Sequence, residues 1–175
     1  MKWPIVYACL ITAGFAAARG QEQRNVTTKP ATKPNVLTVP ELLALADQAL
    51  SMERPVRGVD RYWLVAVALV ESGGDPNAVG DGGRAVGLHQ FHSPAWSDCW
   101  GVDTLRPRND ALSSFQAAIR YAGKARIDAG TTNPQTLRRR ISVHHHLGHY
   151  ESGDKEYYAT VERRFQTLVK EYGGN

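Results

Sequence analysis

The sequence predicts an all-α fold with room for at most one small hairpin. Three observations carry that prediction. Apolar residues recur three and four apart in successive segments, the spacing of a helix face. The segments begin on capping residues and stop at glycine or proline. No segment shows a strong apolar–polar alternation, and no internal repeat is present.

The elements follow in chain order. Thr38-Val39-Pro40-Glu41 is a capping box with proline at the first helical position. Its helix runs to about Met52, with Leu42, Leu45, Ala46 and Ala49 on one face. Pro55 and Gly58 break the chain, and Asp60 caps a second helix whose apolar run, Tyr62 to Val70, ends on Glu71. Glycines cluster between Val79 and Gln90, where the hairpin belongs. Ser93-Pro94 starts a short helix toward Trp100, which sets Trp96 and Trp100 on one side. Asn109 or Asp110 caps a long helix to about Ala129, with the stripe Leu112, Phe115, Ile119 and Ala122. Asn133-Pro134 opens a fifth helix that holds Leu137, Ile141 and a histidine run and ends at Gly148. The last helix, from about Asp154 to Tyr172, is expected to bury Tyr158, Val161, Phe165, Leu168 and Tyr172.

A chain of 175 residues with 42% hydrophobic content suffices for one domain with its own core. Residues 1–20 read as a secretory signal, with Lys2 before a mostly apolar Ile5–Ala18 and small residues at the end. The apolar run is short for a membrane span. Residues 21–37, rich in Thr, Lys, Pro and Gln, read as a disordered linker, and residues 38–175 as the folded domain. Of the net charge of +4, Lys2 and Arg19 leave with the signal, so the mature chain carries +2. That is too weak to imply a nucleic-acid partner and mildly useful against an anionic wall. Loss of Cys9 with the signal leaves Cys99 alone, so neither an internal disulfide nor a cysteine metal cage can form.

Chemistry concentrates in Glu71–Phe91, ESGGDPNAVGDGGRAVGLHQF. Glu71 shares a helical face with Leu64, Val67 and Ala68, so its carboxylate continues a buried stripe to the helix's C-terminal end. Apolar surroundings and the negative end of the helix dipole both disfavour the charged form. A carboxylic acid kept protonated is what a glycosidase needs at a leaving oxygen. Ser72 can hydrogen-bond a substrate or cap backbone groups. Gln90 shapes a cleft rather than exchanging protons, because an amide does not ionise near neutral pH. Trp96, Trp100 and Tyr121 could stack on sugars, although aromatics at helical spacing more often belong to a core.

Glu71-Ser72, Asn77-Ala78 and Ala85-Val86-Gly87-Leu88-His89-Gln90 together resemble the signature of the lytic transglycosylases, the SLT domains of the goose-type-lysozyme-like branch. The Gly80–Arg84 loop is about one residue longer than the usual pattern, and His89 stands where methionine is common. The resemblance implies a lysozyme-like all-α domain, peptidoglycan glycan strands as partner, and Glu71 as the single catalytic acid. It also implies Ser72, Gly87, Leu88 and Gln90 as substrate-side residues. Family members carry a late Ala-Tyr-Asn-x-Gly motif facing the glutamate. With its glycine aligned on Gly148, His145 falls at the tyrosine and His146 at the asparagine. The run has two other readings, a solvated helix end and a metal pair at His145 and His149 with His89 or His92 as remote ligands. Glycosidase chemistry needs no metal, and no metal or cofactor is expected.

In the implied reaction Glu71 protonates the oxygen leaving MurNAc C1 and then takes the proton of the MurNAc 6-hydroxyl, giving a 1,6-anhydro end. The alternatives are a hydrolytic muramidase on the same fold, drawing on Asp75, Asp81 or Asp98 as second carboxylate, and a non-catalytic wall-binding or assembly protein. The expected enzyme is an exported monomer, periplasmic or extracellular. Wall remodelling, a secretion or conjugation machine and phage assembly all remain open contexts.

Overall fold

Asp60 accepts a hydrogen bond from the Trp63 N–H at 2.8 Å and so starts the central helix of the domain. The computed structural model describes residues 35–101, 106–124, 133–147 and 155–174, all within one unit spanning Thr32–Asn175. Six α-helices lie among the described residues: α1 Val39–Met52, α2 Arg61–Ser72, α3 Ser93–Trp100, α4 Ala111–Gly123, α5 Pro134–Leu147 and α6 Lys155–Tyr172. A two-stranded sheet, β1 Val79–Gly80 and β2 Ala85–Val86, interrupts them between α2 and α3. The all-α expectation with one small hairpin is what the structure shows. The expected leader and most of the expected linker lie outside the described residues, as does the continuation of α4 toward Ala129 and the helix stop at Gly148.

The caps are made as the sequence chemistry suggests. Glu41 accepts from both the Thr38 N–H and the Thr38 hydroxyl at 2.7 Å. Asp110, rather than Asn109, caps α4 through the Ser113 N–H at 2.7 Å. Gly73 ends α2 in the left-handed conformation at φ 65, where a side chain would be strained.

α2 carries a fully buried run, with Trp63 to Ala68 all at 0% exposure. Each large apolar side chain there contributes on the order of 1.5–3 kcal/mol by leaving water. The Trp63 indole N–H donates to the Ser142 hydroxyl at 2.9 Å and ties α2 to α5. α6 lies antiparallel on α2. Near one end the Tyr62 ring meets Phe165 edge-on at 6.5 Å, and its hydroxyl donates to the Tyr172 carbonyl at 3.1 Å. Arg138 of α5 pairs with Glu162 of α6 at 3.1 Å. Burial pushes the Glu162 carboxyl up, but the hydrogen bonds from Arg138 and Gln166 outweigh it and hold the group below its usual range.

The buried stripe of α6 differs from the expected one. Val161, Phe165 and Leu168 are buried, but Tyr172 is 38% exposed and Tyr158 is only partly covered. Counting back from Phe165 and Val161 by fours reaches Tyr157, and that residue faces α2.

The hairpin pairs Val79 with Val86 and Gly80 with Ala85. Its base is held by side chains on backbone groups. Gln90 donates to the Ala78 and Gly87 carbonyls at 3.2 and 2.8 Å, and Arg108 to those of Arg84 and Phe91 at 2.6 and 2.8 Å. No helix among the described residues is long and apolar enough to cross a membrane.

Gly87 sits at φ +86, and a β-carbon there would collide with the Arg108 carbonyl. Gly87→Ala therefore combines a strained backbone with a clash against another backbone segment. We expect a loss of at least about 1–3 kcal/mol, read as a lower denaturant midpoint. An unchanged midpoint would show that the hairpin base is not built as described.

Candidate active site

The antiparallel packing of α2 and α6 brings the last turn of one helix to the first turn of the other. There the Tyr157 hydroxyl donates to Glu71 Oε1 at 2.5 Å. Both residues are half-buried, so the carboxylate is neither immersed in the core nor free in water. A short hydrogen bond to a charged acceptor is the stronger kind.

The end of α5 closes the site from a third side. Successive residues on a helix point about 100° apart, so three histidines in a row face three neighbours. His144 lies against Tyr121 of α4, with ring centroids 4.6 Å apart. His145 points inward, edge-on to Phe91 at 5.1 Å, and its Nε2–H donates to the His89 carbonyl at 3.0 Å. That carbonyl partner assigns the proton to Nε2 and leaves Nδ1 as an acceptor, buried and without a partner among the described residues. His146 stacks on Tyr157, with centroids 4.3 Å apart and an interplanar angle of 16°. Burial pushes the His145 imidazole below its usual range, opposed by the charge of Glu71 nearby and by the His89 carbonyl. Neutral His145 thus sits within electrostatic reach of Glu71.

The remaining residues singled out in the sequence build the wall of the site. The Ser72 hydroxyl donates to the Ala68 carbonyl at 2.9 Å and accepts from the Gly74 N–H at 3.2 Å, so it finishes the helix end. Leu88 is fully buried, and Gly87 and Gln90 shape the hairpin base. His89 is a core residue at 1% exposure. Its Nε2 lies 3.2 Å from the Leu64 carbonyl and its Nδ1 3.0 Å from the Ser114 hydroxyl, so both ring nitrogens are engaged. Trp96 and Tyr121 belong to the core as well, and Trp100 lies between the guanidinium groups of Arg106 and Arg120.

Of the three aspartates weighed as a second carboxylate, Asp75 and Asp81 are engaged through their side chains, and Asp98 is bonded through its backbone. Asp75 accepts from the Asn77 N–H within its loop at 2.8 Å. Asp81 is held by Arg84 at 2.6 Å and His92 at 3.2 Å. Asp98 offers its backbone carbonyl to Lys124. His149, the proposed metal partner of His145, lies outside the described residues, and His92 is committed to Asp81. Cys99 is buried and free, with burial pushing its thiol up to about 12, which keeps it unreactive.

A half-buried glutamate at a helix end, followed in the chain by a glycine-rich hairpin, is the arrangement read from Glu71 to Phe91. Residues 50–126 match the family model described as the transglycosylase SLT domain. This segment is a transglycosylase SLT domain. Comparison with curated proteins and with solved structures gave no match. The SLT match makes peptidoglycan the class of substrate, and the observed helices agree with its lysozyme-like fold. The match runs from the end of α1 through α4 and contains Glu71 and the hairpin. α5 and α6, which supply the histidines and Tyr157, lie beyond it. Tyr157 is the site residue that the sequence reading missed; its signal was the four-residue spacing to Val161 and Phe165.

The buried imidazole of His89 predicts acid sensitivity. Burial, then the neighbouring His145, lower its pKa from 6.5 to about 3. A histidine depressed in the folded state is matched by an unfolded chain that takes up the proton first. Stability is therefore full above about pH 6.5 and falls as pH drops toward 3. The expected loss from this group is on the order of 3–5 kcal/mol. His89→Met should flatten that fall in melting experiments between pH 7 and 4. A wild-type curve no steeper than the mutant's would contradict the assignment.

Proposed function

We propose that this domain is a peptidoglycan lytic transglycosylase in which Glu71 is the catalytic acid and then the base. The observation that carries the reading is the Glu71 carboxylate at the end of α2, inside the SLT match and held through Oε1 by Tyr157. The Tyr157 bond occupies one oxygen and leaves Oε2 to exchange the proton.

Protonated Glu71 gives its proton to the glycosidic oxygen as the bond from MurNAc C1 breaks, and GlcNAc leaves with a free 4-hydroxyl. The substrate's own 2-acetamido group stabilises the cation at C1. Glu71, now ionised, takes the proton of the MurNAc 6-hydroxyl as that oxygen attacks C1. The acid is regenerated, and no water is consumed. One group serves twice, so it must work near the ambient pH. A hydrolase of the two-carboxylate type would need a second acid to activate water. The commitments of Asp75 and Asp81 within their own loops support the one-glutamate route. His145, with its buried acceptor nitrogen, and His146, on the Tyr157 ring, are assigned to holding Glu71 or the sugar, and Ser72, Gly87 and Gln90, with Leu88 buried behind them, to shaping the substrate side. The domain is placed outside the cytoplasmic membrane, where its substrate lies, and acts as a monomer.

The test is mass spectrometry of fragments released from purified peptidoglycan. Muropeptides ending in 1,6-anhydroMurNAc, lighter by one water than hydrolytic products, are expected. Glu71→Gln keeps the shape but cannot transfer a proton, and should lose about 10²–10⁴ in rate while folding normally by circular dichroism. Reducing-end MurNAc as main product would replace the transglycosylase with a muramidase. Full activity in folded Glu71→Gln would remove Glu71 as the acid.

A further inference from the structure

Tyr157 reaches Glu71, and its ring is itself held. The His146 imidazole lies nearly parallel on it at 4.3 Å and 16°. The two residues come from different helices, α5 and α6, so the stack fixes where one helix end presents a phenol to the third helix. We propose that His146 is a positioning residue that sets the proton affinity of Glu71 through Tyr157, a deepening that rests on Glu71 being the catalytic acid.

Two effects lower the proton affinity of Glu71 and differ in what they do to the rate. The stack also holds the carboxylate in reactive geometry, which aids cleavage, whereas a charge on the imidazole slows the proton transfer. Stacking removes rotational freedom from the phenol, so that its hydroxyl stays on Oε1. When the imidazole gains a proton, a cation lies on the face of the phenol ring and draws density from it. The O–H then becomes a better donor, and a hydrogen bond donated to a carboxylate favours the ionised form. Glu71 is then harder to protonate, and the first step of cleavage slows. Among the described residues, the titratable groups recorded against His146 are Tyr157 from α6, on which it stacks, and His145 on its own helix. Activity therefore falls on the acid side of the range in which histidine changes charge, about pH 5 to 8.

The experiment compares wild type, His146→Ala, His146→Phe, Tyr157→Phe and the His146→Ala/Tyr157→Phe double variant, each as the full chain. Turnover on purified peptidoglycan is measured from about pH 5 to 8. His146→Ala is expected to lower kcat about ten- to a hundredfold with KM little changed. His146→Phe stacks but cannot be protonated. It should restore most of kcat at the alkaline end and lose the fall on the acid side. In the Tyr157→Phe background, His146→Ala should add nothing, because its route to Glu71 is already cut. Additive losses in the double variant, or a rise in KM with kcat unchanged, would overturn the proposal and make His146 an independent substrate contact. A wild-type chain that cleaves no glycan would instead sink the reading of Glu71 as the acid. The coupling itself is still decided by carbon-13 NMR of the Glu71 carboxyl in the same variants. Its titration should move to higher pH in His146→Ala and in Tyr157→Phe, and no further in the double variant. An unmoved titration in His146→Ala would overturn it.

Discussion

The antiparallel contact between α2 and α6 is the constraint on which the site depends. Glu71 is chemically useful only if its carboxylate is partly withdrawn from water and still reachable. Its own helix cannot arrange both. The last turn of α2 projects Glu71 beyond the buried segment Trp63–Ala68, and the first turn of α6 brings Tyr157 against it. The opposite ends of the same two helices are pinned by Tyr62 on Phe165 and on the Tyr172 carbonyl. A helix pair fixed at both ends by aromatic contacts cannot slide by a turn without losing one of them. The 2.5 Å bond at the site thus inherits its accuracy from packing far from the chemistry.

The histidine run is a second consequence of helix geometry. Three identical residues in sequence take three roles because 100° of rotation separates each from the next. His144 fills space against α4, His145 braces the hairpin base through the His89 carbonyl, and His146 backs the phenol that holds the acid. Composition alone suggests a metal site or a solvated helix end. Position on the helix separates the three side chains.

What the sequence made legible follows from how local each feature is. All six helices were foreshadowed by caps and periodicity, since an Asp60 or a Thr38-x-x-Glu41 acts within one turn. The stretch from Glu71 to Gln90 was legible because its parts contact one another: Gln90 bonds Ala78 and Gly87, and the Gly87 N–H bonds the Ala78 carbonyl. The partner of Glu71 was not. Tyr157 and Tyr158 are adjacent, both aromatic and both near the start of an amphipathic helix. Choosing between them is a choice of 100° of rotation, which only α2 decides. The sequence reading placed Tyr158 in the stripe and extended it to Tyr172, and tertiary packing selected the other phase. Ser72 had been open between two uses, and its bonds to the Ala68 carbonyl and the Gly74 N–H show the capping one in place.

The substitution of histidine for methionine at position 89 joins these threads. Methionine would fill that space with no polar atoms to satisfy. Imidazole brings two, and the core supplies partners for both, the Leu64 carbonyl from α2 and the Ser114 hydroxyl from α4. The residue therefore hydrogen-bonds the very helix that carries Glu71, about two turns before it, while its backbone carbonyl receives His145. A neutral His89 links α2, α4 and α5 in a way no thioether could. The same site disfavours a protonated ring, because burial and the neighbouring His145 both penalise the charge. The residue that departs from the family pattern thus strengthens the frame around the acid in neutral solution and weakens it in acid.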